Sequence, residues 1–304
     1  MVFRPSLTIL VLAPLLGESL STATPPLDVL LWGPVVLVPL YGCGALLVRE
    51  LSRRYGRGLI LLAAAYAVYE EALVDGYWFD PGYAEKVGIG GYSRVGGTNL
   101  LIAAHLTVFH VVVSIGASIV IVERLFPAHR KEPWVPGKWL VVPLLAFASV
   151  PVVTAEDYVR GPVIAPALLF GLLVVAAFVL PRRGPRPRPR AEPGPRLAGL
   201  LAFACSGAHF VLVYTVPHLP APWPAGLVAA LFPVALGAWL VPRLSPGSAL
   251  PGVTGVLVQT ALVAAAVGLG GRYDLTVWAL VVVVLLWWLN RGERQARLSA
   301  AAPR

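Results

Sequence analysis

The sequence predicts an all-α, polytopic membrane protein. It is read as a bundle of about ten transmembrane helices, with both termini cytoplasmic and one membrane domain over residues 1–304. Three observations predict it. Of the 304 residues, 58% are hydrophobic and only 13% charged, where a soluble domain carries about 25% charged residues. Apolar runs recur along the whole chain, each approaching the roughly 20 residues a bilayer helix needs. The arginines gather in alternate connections, as the positive-inside rule requires. The runs are continuous, which argues against the short alternating segments of a membrane β-barrel.

The first run, 6–24, follows Arg4 and ends at Pro25–Pro26. A basic start, an apolar stretch and small residues at 21–24 resemble a signal peptide, but Glu18 interrupts the apolar core, and a retained helix is expected. The second run, 27–48, leads into Arg49, Arg53, Arg54 and Arg57. The third, 58–78, opens onto a mixed-charge, Gly- and Tyr-rich loop at 79–98. The fourth, 99–122, precedes Arg124, Arg130, Lys131 and Lys138. The fifth, 139–153, ends at Glu156 and Asp157, and the sixth spans 162–180. Residues 181–196, PRRGPRPRPRAEPGPR, are too rich in Pro and Arg to pack a core and read as an extended cytoplasmic linker. Four more runs follow, at 197–216, 223–241, 252–270 and 275–289, before a basic tail at 290–304. Trp32, Trp78, Trp139, Trp223 and Trp288 lie near run ends, where interfacial belts form.

With the N-terminus inside, every Arg-rich connection falls on the cytoplasmic side of a cell membrane. The composition is that of a high-GC prokaryote. The net charge of +9 therefore belongs to loops. No soluble basic module interleaved with aromatics is visible, so nucleic acid is not an expected partner. The expected partners are the bilayer and its anionic headgroups, met by 181–196 and the tail. Cys43 and Cys205 each lie in an apolar run and make no metal motif.

The informative residues are the polar ones inside these runs. A carboxylate at the centre of a membrane helix costs about 2.5–3.5 kcal/mol on insertion scales. Glu70 and Glu71 stand side by side at the end of the third run. At a rise of about 1.5 Å per residue, Glu18, Glu71, His105 and His209 all come out at one depth, about 9–11 Å below the outer boundary. Glu70 is a residue deeper and His110 nearer the midplane. Glu71 and Asp75 share a helix face, while Glu70 points about 100° away. His105 and His110 diverge by about 140° on a straight helix, so the imidazole expected to face the glutamates is His105, which matches their depth.

Such a site suits hydrolysis, with Glu70 or Glu71 as general base on water and His105 assisting. A divalent metal held by Glu71, His105 and His209 is a variant of it. Glu18, Asp75 and His110 would support either. The same residues suit a proton- or cation-coupled transporter. A non-catalytic membrane scaffold would use the 79–98 loop as its contact surface.

Two resemblances bear on this choice. E-E-A-L-V-D-G at Glu70–Gly76 resembles the first motif of the CPBP family, membrane proteins related to CAAX-prenyl endopeptidases. That motif has paired glutamates, an Arg four residues after the second, and often a Gly. Asp75 stands at the Arg position here. The family's second motif is a Phe four residues before a His; here Leu101 precedes His105. Its third is a His followed four residues later by Asn or Asp, whereas here Ser114 follows His110 and Val213 follows His209. The resemblance implies that Glu70 or Glu71 activates water and His105 assists. Second, GESLS at 17–21, YGCGALLVRE at 41–50, the EE–FDP stretch at 70–81 and ERLFP at 123–127 resemble a group of uncharacterised prokaryotic multi-pass membrane proteins. That likeness implies the architecture and no activity.

Overall fold

A computed structural model describes residues 3–154, 161–180, 194–246 and 248–301. It is 80% helical, and its helices are the apolar runs. Helix α1, Phe3–Pro14, runs on into a π-helical turn at Leu15–Ser19. After the short α2, Pro26–Leu31, comes α3, Gly33–Tyr55, which contains a second π segment at Val38–Cys43. Helix α4, Leu59–Val68, continues as π over Tyr69–Val74. The short α5, Pro81–Lys86, is followed by α6, Leu100–Leu125, which is π over His110–Ala117. Then come α7, Gly137–Val153, and α8, Ile164–Val179. Four long helices complete the chain: α9 Pro195–His218, α10 Trp223–Leu244, α11 Leu250–Leu269 and α12 Tyr273–Ala301.

Six of these, α3, α6, α9, α10, α11 and α12, are long and apolar enough to cross a membrane. Their outward faces carry large apolar side chains such as Leu200, Phe232, Leu262 and Val284, each more than half exposed. An apolar surface that wide is at home only against lipid.

The helices end where their residues dictate. Asp80 and Asn99 cap α5 and α6, their side chains accepting from Gly82 N and Ile102 N. Gly56 closes α3 in the left-handed conformation. The 79–98 loop is ordered: beyond α5 it holds a two-residue hairpin, Arg94–Val95 against Thr98–Asn99. Its turn is Gly96–Gly97, both at positive φ, the requirement of a tight type I′ turn.

Side-chain contacts sort the connections into two ends. At one end, Tyr92 donates to Ala221 O and Arg272 to Thr22 O. At the other, the arginines are tied down. Arg49 is fully buried, stacked over Trp134 at 3.7 Å. It pairs with Glu50 at 2.7 Å and Glu123 at 3.4 Å, and donates to the carbonyls of Arg130 and Glu132. Arg53 clasps Glu123 as well, and Trp134 N donates to Glu50. The two basic connections are thus a buried ionic knot joining α3 to α6. Arg124 extends it to Glu293 and Ser248.

Two expectations are corrected here. Trp78 is buried, packed with Val68, Ala72 and Phe79 instead of sitting in an interfacial belt. The chain is nearly all-α, since the 94–99 hairpin adds a small strand pair. Glu156, Asp157 and residues 181–193 of the linker lie outside the described residues, as do the side chains of much of the tail.

Candidate functional site

Each of the four π segments contributes to one buried polar centre. Leu15–Ser19 carries Glu18; Val38–Cys43 carries Tyr41; Tyr69–Val74 carries Glu70 and Glu71; His110–Ala117 carries His110 and Ser114. A π turn holds more residues than an α turn, disrupts the i→i−4 ladder, and is frequent at functional sites. Because it turns through less than the α-helical ~100° per residue, adjacent residues diverge less. Glu70 and Glu71 therefore both reach the same imidazole.

That imidazole is His110. Its Nε2 lies 2.5 Å from Glu71 Oε1, and its Nδ1 lies 3.1 Å from Glu70 Oε2 and 3.0 Å from Ser114 Oγ. A nitrogen–oxygen contact of 2.5 Å has the closeness of a charge-assisted hydrogen bond between Glu71 and His110. Glu70 and Ser114 are fully buried, and Glu71 and His110 are 4% and 2% exposed. Tyr66 packs against the His110 ring at 5.9 Å, as does Tyr41.

From this centre a polar arm leads outward. Tyr41 OH donates to Glu18 Oε1 at 2.7 Å, and Thr24 Oγ1 donates to Glu18 Oε2 at 2.6 Å. Glu18 and Thr24 are only half-buried. Some carboxylate oxygens at the centre have no hydrogen-bond partner among the described residues although fully buried. These are Oε1 of Glu70 and Oε2 of Glu71; the other Glu70 oxygen faces His110 Nδ1. Asp75 is buried beside the pair, its backbone N donating to Glu70 O.

His105 does not face the glutamates. Its Nδ1 meets His209 Nε2 at 3.1 Å, and His209 Nδ1 lies 2.8 Å from Ala230 O. A carbonyl only accepts, so His209 carries its proton on Nδ1, and its Nε2 accepts from His105 Nδ1–H. The shared depth of His105 and His209 brings them to each other. Among the described residues the set of three metal-capable groups in mutual reach is Glu70, Glu71 and His110; a shell of Glu71, His105 and His209 does not assemble.

The reason lies in side-chain direction. Asn99 N donates to Trp78 O, which joins the end of the α4 segment to the start of α6, so the two run in opposite directions. Side chains on a helix lean toward its N-terminus. Glu71 leans inward, away from that junction, and His110 leans toward it. They meet although their Cα atoms are about a turn apart in depth. Equal depth of Cα atoms selected His105; the lean of the side chains selects His110. Tyr41, Tyr66 and Ser114 were not singled out from sequence. The signal available for Ser114 was its place four residues after His110, on one helix face.

Against known proteins, the chain matches the model of one family, described as an uncharacterized membrane protein family, over residues 7–221. That range holds every member of the centre. No curated protein and no solved structure matches the chain.

Proposed function

We infer the function from one premise: the chain belongs to an uncharacterised membrane protein family, so its activity must be read from its own chemistry. We propose that it moves protons or a small cation through the Glu70–Glu71–His110 centre. The observation that carries this reading is burial. Two carboxylates and an imidazole share a buried site, and among the described residues the Tyr41–Glu18 arm leads from there to a half-buried position. A site so enclosed admits a proton or an ion and not a bulky substrate. Ionisable residues at membrane depth, facing the bundle interior and paired with one another, are what proton relays are made of.

The topology that goes with this reading is about ten spans with both termini cytoplasmic. It is supported by the clustering of Arg49, Arg53, Arg54, Arg124 and Arg130 at the end opposite the 94–99 hairpin. A prokaryotic cell membrane fits the composition. Attraction of 181–196 and the tail to anionic headgroups follows from their charge.

Purified protein in liposomes loaded with a pH-sensitive dye tests the reading. An imposed pH gradient is expected to dissipate faster than in empty liposomes. Glu71→Gln and His110→Gln should abolish that excess, and Tyr41→Phe should slow it. Equal rates for the wild-type protein and both centre variants would sink the proposal.

A second reading, hydrolysis, is favoured by the order Ser114 Oγ, His110, Glu71 Oε1 across one imidazole. That is the sequence of contacts in an activated-nucleophile site. The CPBP-like EEALVDG stretch supports its water-activating form, with His110 in the place expected of His105. Covalent labelling of Ser114 by a fluorophosphonate, or Glu71-dependent cleavage of a peptide or ester in detergent, would favour hydrolysis over transport.

A further inference from the structure

We propose that Glu70, Glu71 and His110 bind a first-row divalent metal ion of the manganese–iron–zinc range. The proposal rests on the cation side of the reading above, and names the cation.

The first support is geometric. One donor atom from each of the three residues lies within 4.8 Å of the other two. Metal–ligand bonds of about 2.0–2.2 Å would require these donors to draw together around the ion. The second is the unpartnered atoms. Oε1 of Glu70 and Oε2 of Glu71 are buried without a hydrogen-bond partner among the described residues. Buried polar groups are almost always satisfied, and one bound ion answers the carboxylate oxygens together.

Charge supplies a third line. The buried carboxylates Glu50 and Glu123 are each paired with arginine, whereas Asp75 lies buried beside Glu70. Glu70 and Glu71 are paired only with His110 among the described residues. A divalent ion with two carboxylates and a neutral imidazole sums to zero, the arrangement a buried site tolerates. The donor set then narrows the metal. One nitrogen and carboxylate oxygens suit manganese, iron or zinc, whereas thiolates would select copper(I) and an all-oxygen cage magnesium or calcium. Ser114 completes the site. With the ion on Nε2, His110 Nδ1–H faces Ser114 Oγ at 3.0 Å and Glu70 Oε2 at 3.1 Å, and Ser114 makes the outer contact that fixes ring orientation in metal sites. The His105–His209 pair, by contrast, is spent on its own chain of hydrogen bonds to Ala230 O.

The test is metal content and spectroscopy on the full-length protein in detergent. Chelator-treated protein is dialysed against Mn²⁺ or Zn²⁺, desalted and measured by elemental analysis. The expected result is stoichiometric retention, lost in Glu71→Gln and in His110→Gln and unchanged in His105→Gln. Ser114→Ala should keep the stoichiometry and weaken affinity by about 10–100-fold, as loss of an outer-shell partner does. Pulsed EPR of the Mn²⁺-loaded wild-type protein should show nitrogen coupling from one imidazole, a readout that needs no variant to fold. Overturning results are retention no greater than in a metal-free control membrane protein, absence of nitrogen coupling, or loss in His105→Gln with retention in His110→Gln. Glu71-dependent proton flux without metal retention would overturn the metal site and leave the proton reading standing. Metal retention without flux would do the reverse.

Discussion

Arg49 and Glu71 are both buried charges, and the chain treats them in opposite ways. Arg49 is saturated: two carboxylates, three backbone carbonyls and the face of Trp134 surround it. Removing one partner of a buried ion pair costs about 3–5 kcal/mol, because the other charge is left unpaired. Arg49→Met is therefore expected to destabilise the protein by ~3–5 kcal/mol, seen as a large drop in thermal midpoint in detergent. A loss below about 1 kcal/mol, the range of an exposed pair, would contradict the knot. Glu71 has an imidazole on one oxygen and no hydrogen-bond partner on the other. On the proposed function, Glu71 carries that cost for chemistry. For the same reason Glu71→Gln should leave stability nearly intact while removing function.

At the scale of elements, the π segments and the glycines beside them belong together. An added Cβ at Gly17 would stand 2.3 Å from the Tyr41 ring and 3.2 Å from Ser114 Oγ; at Gly44, 2.4 Å from the Tyr66 ring. At Gly42 it would meet the backbone of Leu10 at 2.6 Å. These glycines lie in the GESLS and YGCGA stretches, which now have a physical reason: they let α1, α3 and α4 close on the two tyrosines that line the centre. Gly17→Ala must push Tyr41 away or spread α1 from α3, and overpacking of this kind costs about 1–3 kcal/mol. It should also break the Tyr41–Glu18 contact. The expected phenotype is a slower proton or cation flux together with a modest loss of stability, checked by the liposome assay and a thermal melt. Unchanged flux would mean that the arm carries nothing. Gly171 is a built-in control, because a Cβ there meets nothing within 4 Å, and Gly171→Ala should be silent.

For the whole molecule, the division into two ends makes the orientation testable. Both native cysteines are buried, so single introduced cysteines report cleanly. Lys86 in α5 and Lys131 beside the ionic knot are both exposed and lie at opposite ends. In intact cells a membrane-impermeant maleimide is expected to label Lys86→Cys, and to label Lys131→Cys only after lysis. The reverse pattern would invert the topology and put the Glu18 arm on the cytoplasmic side. The same packing shows why the first apolar run belongs to the bundle. Ile9, Ala13 and Leu16 are fully buried, and Trp278 donates to Leu15 O from the far end of the chain.

Helical class and bilayer setting were determined by sequence alone, because hydropathy over a run of residues is a sum that needs no partner. That Glu70 and Glu71 stand out was legible for the same reason: two adjacent acids in an apolar run are costly wherever they point. Convergence was not legible. Which imidazole meets Glu71 depends on π turns, on opposed helix directions and on the lean of side chains toward helix N-termini. None of these is visible in a count of residues from a membrane boundary. The basic loops show the same limit. Arginine content marks an end of the bundle, but that Arg49 is sealed under Trp134 and shared between Glu50 and Glu123 is decided only when residues 74 and 85 positions apart in sequence are brought into contact. Long-range polar geometry of this kind is set by packing, and packing belongs to the tertiary structure.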